Sequence, residues 1–473
     1  MEERGVRNPL GTEPVGKLLR KFAIPSIVSM LVMSFYNIVD QLFIGRTVGL
    51  LGNAATNVCF PMTTMCIATA LAFGIGGAAG FNLKSGAGEV KKALYFVGNA
   101  VAMMLSIGVI LSLLVLINLK PLLLFFGAPA SNEKISVLAY AIEYAGVLAI
   151  GFPFAIVSAG GAHLVRADGN PTYSMLCNLV GAGTNVVLDY LFVMKFRWGM
   201  TGAATATVIG QVISFGMVIY YLLHYKTGKL EKKHFIPKAA RVFRMLHLGM
   251  AQCLNQLAIM VVQIVMTKSL TYYGALSSYG SEIPLACVGI IMKINQVYFS
   301  ICIGISQGMQ PIASFNRGAR AFQRVRQTYR LAFTCNLIVS IIAFAIFQIF
   351  PTELIRAFGK ANESYFLFGK QFLRIFLFMT FLNGIQPITS TFCTAVSEPN
   401  KGTFLSLTRQ IIFFLPLVLV MPRIFMALGK QGIDGMMFTA PISDFLAAVI
   451  SIFVVRTVFK KIEKMELADA ENA

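Results

Sequence analysis

Charge is scarce in this chain of 473 residues: only 13% are charged, against 56% apolar. A soluble protein usually carries about 25% charge, so a charged skin over folds of this length is excluded. Disorder is excluded by the same hydrophobicity. Histidine is nearly absent, at four residues, which argues against haem or metal chemistry. The eight cysteines, Cys59, Cys66, Cys177, Cys253, Cys287, Cys302, Cys335 and Cys393, contain no C-x-x-C pair and lie in apolar stretches. Neither a disulfide framework nor a zinc site is expected from them. No G-x-x-x-x-G-K-[ST] or H-E-x-x-H occurs, so nothing points to ATP hydrolysis or a zinc hydrolase, and no cofactor is expected. The tract FGIGGAAG, Phe73 to Gly80, has no strand before it and reads as close helix packing rather than a dinucleotide fingerprint. The start, MEERGVRNPL, has no apolar core beside it, so no cleavable signal peptide is expected.

What the chain has in quantity is apolar length and positive charge. The mean hydropathy is +0.72 and the net charge +20. A span needs about 20 mostly apolar residues, and twelve are predicted: 22–44, 53–80, 93–119, 137–160, 172–194, 201–224, 247–270, 281–311, 331–351, 366–394, 403–421 and 435–457. They are too long and continuous for barrel strands, so they should be helices. The side holding the N-terminus, the C-terminus and the loops after even-numbered spans carries roughly twice the Lys and Arg of the other. That bias places both termini in the cytoplasm. The densest basic runs, Lys226 to Arg244 and Arg317 to Arg330, read as ordinary cytoplasmic loops and not as a nucleic-acid footprint.

A repeat divides the chain. A shift of 232 places Gly76 on Gly308 and Gly86 on Gly318; a shift of 233 places Gly199 on Gly432, Gly202 on Gly435 and Gln211 on Asp444. Six spans per half is even, so the halves enter the membrane in the same sense and face each other across a cavity, the geometry of alternating access. The predicted divisions are 17–225 for the first bundle, 226–246 for a cytoplasmic linker, 247–457 for the second bundle and 458–473 for a tail.

Ionisable groups at bilayer depth mark functional positions. Asp40 follows Tyr36 and Asn37 at helical spacing, and Asp189 follows Asn185 by one turn. Thr205 and Thr207 offer hydroxyls from span 6, and Tyr140 from span 4. Two buried carboxylates can load a proton or hold a sodium ion with Asn and Thr oxygens. Glu143 is a further acidic candidate, and Lys293 is a strong cation near mid-membrane. Asp444 is a second-bundle site or an internal polar tie. Arg409 is expected to snorkel and His163 to be a loop residue. Met and aromatic faces suit flat, greasy cations, and the cavity candidates are Met33, Tyr36, Gln256, Met292 and Phe299, with Tyr140, Glu143 and Lys293.

Four segments carry a resemblance: SFYNIVDQLFIGRTVGLLGNAATNVCFP (Ser34 to Pro61), RADGNP (Arg166 to Pro171), GMTGAATAT (Gly199 to Thr207) and GISQGMQPIASFNRGARAFQRVR (Gly304 to Arg326). From Lys17 to Arg456 the chain resembles the multidrug and toxic compound extrusion (MATE) transporters, and within them the DNA-damage-inducible and staphylococcal-type branch. The resemblance implies an all-α polytopic membrane protein, with twelve helices in two six-helix bundles forming a V around a central cavity. It implies export of cationic or amphipathic drug-like compounds in exchange for protons or sodium ions, from a monomer in the cell inner membrane. It puts the coupling acid on Asp40, an acid and amide pair on Asp189 and Asn185, a hydroxyl on Thr207, and a helix-bending proline on Pro25. The other major branch uses acids in the second bundle; here span 7 has none and span 8 has Glu282 near its outer end, with Asp444 the exception. The rival readings are a flippase for a lipid-linked or anionic metabolite, which several cavity arginines would favour, and a membrane-embedded lipid-modifying enzyme.

Overall fold

The structure, a computed structural model, describes residues 8–129, 133, 135–280, 282–357 and 363–471. The expected start of the eighth span at Ser281 and the last two residues of the tail lie outside these. Among the described residues all regular structure is helical. Eleven helices are long and apolar enough to span a bilayer, and a bent pair makes a twelfth. In chain order they are α1 (Val15–Thr47), α2 (Leu50–Gly86), α3 (Val90–Ile117), α4 (Val137–Ala167), α5 (Pro171–Lys195), α6 (Gly199–Leu223), α7 (Ala239–Ala275), α8 (Glu282–Gly318), α9 (Phe322–Ile349), α10 (Glu363–Phe376 with Thr380–Ala395), α11 (Pro399–Ala427) and α12 (Gly432–Glu471).

Several helices outrun the spans that hydropathy predicts. α7 begins at Ala239, inside the predicted linker, and α12 continues to Glu471 through the predicted tail. The tail is helical because it has partners. Glu466 pairs with Arg326 at 2.7 Å, Asp469 with Arg320, and Lys461 with Glu398 at 2.5 Å. Arg324 donates to the carbonyls of Leu10 at 3.2 Å and Glu13 at 2.6 Å. The basic run after α8 therefore ties both ends of the chain to the second bundle. The linker is fastened as well. Asn99 of α3 donates to the carbonyls of His234 at 2.7 Å and Ile236 at 3.0 Å, and Arg241 lies 3.9 Å from the centre of the Tyr95 ring. Asp168 accepts from Lys226 N at 2.7 Å, Thr227 N at 3.1 Å and Tyr221 Oη at 3.0 Å. Burial pushes the Asp168 carboxyl above its ordinary range, although these donors pull it down.

The tenth span, predicted as continuous, bends by 46° between Phe376 and Thr380. A break in a spanning helix frees backbone groups that lipid cannot satisfy. Neighbours satisfy them here: Tyr298 Oη donates to the Thr380 carbonyl at 3.1 Å, and Asn336 Nδ2 donates to that of Gly384 at 3.0 Å. Before the bend, Phe368, Phe372 and Phe376 follow one another at helical i, i+4 spacing with ring centres 5.6 and 5.0 Å apart.

The buried apolar residues form three cores. One lies within α1–α6 and takes in Met245 of α7, and another joins the ends of α7, α8 and α10–α12 nearer the second bundle's far side. The third contains Leu18, Leu19, Phe22 and Ala23 of α1 together with α8, α9, α10 and α12. The first half of α1 thus packs with the second bundle, and the helix runs through Pro25 to carry Asp40 among the first.

The bundles meet at the end that carries the termini. There the repeated glycines allow backbone to touch backbone. A Cβ on Gly76 would lie 2.0 Å from Met245 O, and one on Gly308 2.6 Å from Ala23 Cα. Gly86 and Gly318 make a reciprocal pair against Phe315 O at 2.0 Å and Leu83 O at 2.1 Å. Gly249 fits against Ala72 O at 1.8 Å and Gly304 against Ile27 Cα at 2.6 Å. Ser34 and Ser300 share a hydrogen bond of 2.6 Å across the seam. Among the described residues, no hydrogen bond joins the bundles beyond that pair toward the opposite end.

Candidate functional site

Asp40 sits on the far side of that seam, in the second half of α1, and Asp189 in α5. The two carboxyls stand within hydrogen-bonding reach of each other. Asp189 is fully buried and Asp40 half-buried. Each keeps a buried oxygen, Oδ1, without a donor. Two carboxylates are acceptors only, so a bond between them requires a shared proton, or a cation in its place. With its amide oriented so that nitrogen faces the acid, Asn185 donates to Asp189 Oδ2 at 3.2 Å; its oxygen accepts from Thr207 N and Oγ1, both at 3.1 Å. Asp189 closes the regular part of α5. The next turns, Tyr190–Lys195, are π-helical, a local widening that recurs at functional positions.

Tyr36 stands in the field of both acids from α1, and Tyr144 does so from α4. Tyr144 was not among the sequence candidates; it lies one turn beyond Tyr140 on the same helical face, which was the available signal. Tyr140 is half-buried against the first core, and Glu143 is exposed. Asn37 is exposed and donates back to the Met33 carbonyl at 2.8 Å. Thr205 likewise donates to Thr201 O at 2.7 Å. Among the described residues, no group of three or more His, Cys, Asp or Glu is placed to hold a metal ion.

The second bundle differs. Arg409 does not snorkel: its Nε donates to Asp444 Oδ1 at 2.6 Å, with Asp444 almost wholly buried. The guanidinium also lies 5.2 Å from the centre of the Phe299 ring. Asp444 is therefore neutralised within its own bundle, as an internal tie. The π-helical turns Thr408–Phe414 of α11 turn Arg409 inward to reach it. Lys293 is half-buried and has no ion pair among the described residues; Met33, Gln256 and Met292 are half-buried. His163 is no loop residue. It is buried inside α4, with Nδ1 3.3 Å from Arg166 Nη1.

Comparison with known proteins identifies the architecture. The MatE family model matches residues 25–191 and again 253–420, one match in each bundle. The chain belongs to the MatE family. These are the multidrug and toxic compound extrusion transporters, so the protein is a membrane transporter and not an enzyme. Among curated MATE relatives, it is 21% identical over 465 residues to the multidrug export protein MepA of Staphylococcus haemolyticus, covering 96% of this chain and 97% of that one. It is 21% identical to MepA of Staphylococcus aureus over 443 residues, covering 93% and 94%. Among solved MATE structures, a multidrug resistance transporter in an outward-facing conformation superposes with a TM-score of 0.87 at 21% identity, covering 96% of this chain and 98% of that one. A MATE in the straight conformation gives the same TM-score, identity and coverage. The two-bundle MATE fold is thus the fold of this chain.

Proposed function

We propose that this MATE transporter exports organic, cationic or amphipathic compounds across the cell inner membrane in exchange for a cation, and that Asp40 and Asp189 carry the exchange. The observation that supports this most directly is the acid pair itself. It is two carboxyls in mutual reach, with unsatisfied oxygens and, among the described residues, no basic partner, beside the oxygens of Asn185 and Thr207. Such a set suits a proton shared between the acids. It equally suits a sodium ion, since hard cations take oxygen ligands. The curated relatives named as multidrug export proteins support the cargo class.

The basic residues near the termini favour that end as the cytoplasmic one. The seam then closes the cytoplasmic side and the acids open outward. In that state they take up the cation from outside. Loading removes the mutual repulsion and lets α1 repack about Pro25, where the ring removes one backbone hydrogen bond. The first half of α1 is held in the second bundle, so a change at Pro25 couples the acids to the contact between bundles. Compound and cation must prefer opposite states for exchange to be coupled. Met33, Gln256, Met292 and Phe299 offer adaptable contacts for the compound, and Lys293 and Tyr140 polar ones.

The test uses everted vesicles and ethidium, with a proton or a sodium gradient imposed separately. Uptake under one gradient, abolished in Asp40→Asn with assembly intact, is the expected result. Undiminished uptake in that variant would overturn the assignment.

A further inference from the structure

On the closed side, at the boundary between the bundles, lies a charge that the exchange cycle does not use. Arg166 of α4 is only 3% exposed. Its Nη1 donates to Gln307 Oε1 of α8 at 2.9 Å, across the boundary between bundles, and its Nε has no partner. Among the described residues no carboxylate pairs with it. The nearest acid in sequence, Asp168, is occupied with Tyr221 and the start of the linker. Arginine stays protonated and only donates, so the His163 Nδ1 beside it must accept, and that imidazole is neutral. Gln307 also reaches toward Met30 Sδ of α1 at 3.7 Å, and Gln310 donates to the Ile75 carbonyl of α2 at 3.4 Å. Arg166 is therefore enclosed where α1, α2, α4 and α8 converge.

Along α1 the order is Asp40, Tyr36, Ser34 bonded to Ser300, then Met30 against Gln307. At 1.5 Å per residue, Met30 lies about 15 Å from Asp40 along the helix axis. A cation leaving the acids toward the cytoplasmic end would have to pass this level. We infer that Arg166 is the charge barrier of the closed seam: its unneutralised guanidinium keeps the coupling cation from leaking through while the transporter faces outward. A buried, unpaired cation is otherwise a costly feature with no evident gain. Fixed arginines exclude cations in other membrane pores by the same physics. The inference rests on the cation exchange proposed above.

The test measures passive cation entry into proteoliposomes of the full chain, without drug, using internal proton and sodium indicators. Arg166→Met and Arg166→Gln remove the charge. Gln307→Glu leaves it in place but neutralises it with an almost isosteric carboxylate, and does not depend on tolerating an emptied site. Even at about 15 Å, with an effective dielectric near 20, one charge changes a cation's population by roughly five- to tenfold, and a leaking cation passes closer, so each variant should raise the leak by at least that factor. Arg166→Lys keeps the charge and should remain close to wild type. Tight vesicles with Gln307→Glu, or an Arg166→Lys variant as leaky as Arg166→Met, would overturn the inference. Drug-driven exchange by the wild type is measured in parallel, so failure of the exchange reading and failure of the barrier are told apart.

Discussion

The seam between the bundles gives a quantitative handle on the conformational equilibrium. In Gly249→Ala, the new Cβ would lie 1.8 Å from Ala72 O, 2.6 Å from its carbonyl carbon and 2.8 Å from its Cα. All three are backbone atoms of α2, so no rotamer change relieves the contact. Reaching an ordinary separation of about 3.5 Å requires the two helices to part by roughly 1.5 Å. Overpacking of this kind costs about 1–3 kcal/mol. The cost falls only on the state in which this end is closed. The ratio of closed to open molecules should then fall about 5- to 150-fold. Spin labels at the exposed positions Lys91 and Gln327, with the two cysteines that are not buried, Cys253 and Cys335, replaced by serine, would read the distance across this end. The expected result is a longer distance component and reduced export. Gly216→Ala is the control, because nothing lies within 4 Å of a Cβ there. A Gly249→Ala protein with the parental distance distribution and full export would refute the seam as the closed gate.

Three further outcomes follow from the geometry. Asn185→Leu removes the donor to Asp189 and the acceptor of Thr207, and should lower export at a fixed gradient by about tenfold or more while the protein stays monodisperse, since hydrogen bonds to charged groups contribute about 1.5–3 kcal/mol; unchanged export would remove Asn185 from the site. Arg409→Met strands the buried Asp444 and should cost about 3–5 kcal/mol of stability, most of it regained when Asp444→Leu is added; a thermal-shift series in which the double variant is no better than the single one contradicts the pairing. Asp168→Ala strands the amides of Lys226 and Thr227, each worth about 1–3 kcal/mol when buried, so trypsin should cut the linker near Lys226 and Lys229 faster, and an unaltered cleavage rate would show that Asp168 does not hold it.

Much of the architecture was legible because the bilayer imposes a length on every span. The repeat was legible for a related reason. Gly76, Gly308, Gly86 and Gly318 recur at one spacing because backbone approaches within 3 Å admit no side chain, whichever bundle supplies them. The bend in α10 was not legible. No proline stands between Phe376 and Thr380, and the groups that make the break tolerable, Tyr298 and Asn336, come from other helices. The rotation of each helix was only partly legible. Spacing put Asn37 on the face of Asp40, but the amide folds back onto Met33. Hydropathy expected Arg409 to reach for the interface because its partner, Asp444, lies 35 positions away and on another span.

That pairing bears on why two similar bundles would divide their labour. The repeat gives both halves the same way of approaching each other, and the glycine contacts are reciprocal across the seam. The polar interiors are not reciprocal. In the second bundle an arginine neutralises the buried acid, at 2.6 Å, so that acid can bind a cation only by displacing a guanidinium already in place. In the first bundle the two acids face each other, the Asn185 amide donates to Asp189, and among the described residues no basic side chain is ion-paired with either acid. The proposed cation would therefore gain more at Asp40 and Asp189 than at Asp444. On the exchange proposed above, α1 would carry the effect of neutralising the acids to the contact between the bundles, since its first half lies in the second bundle's core and its second half at the acids. On that proposal, the like walls serve both arrangements and the unlike charge decides between them.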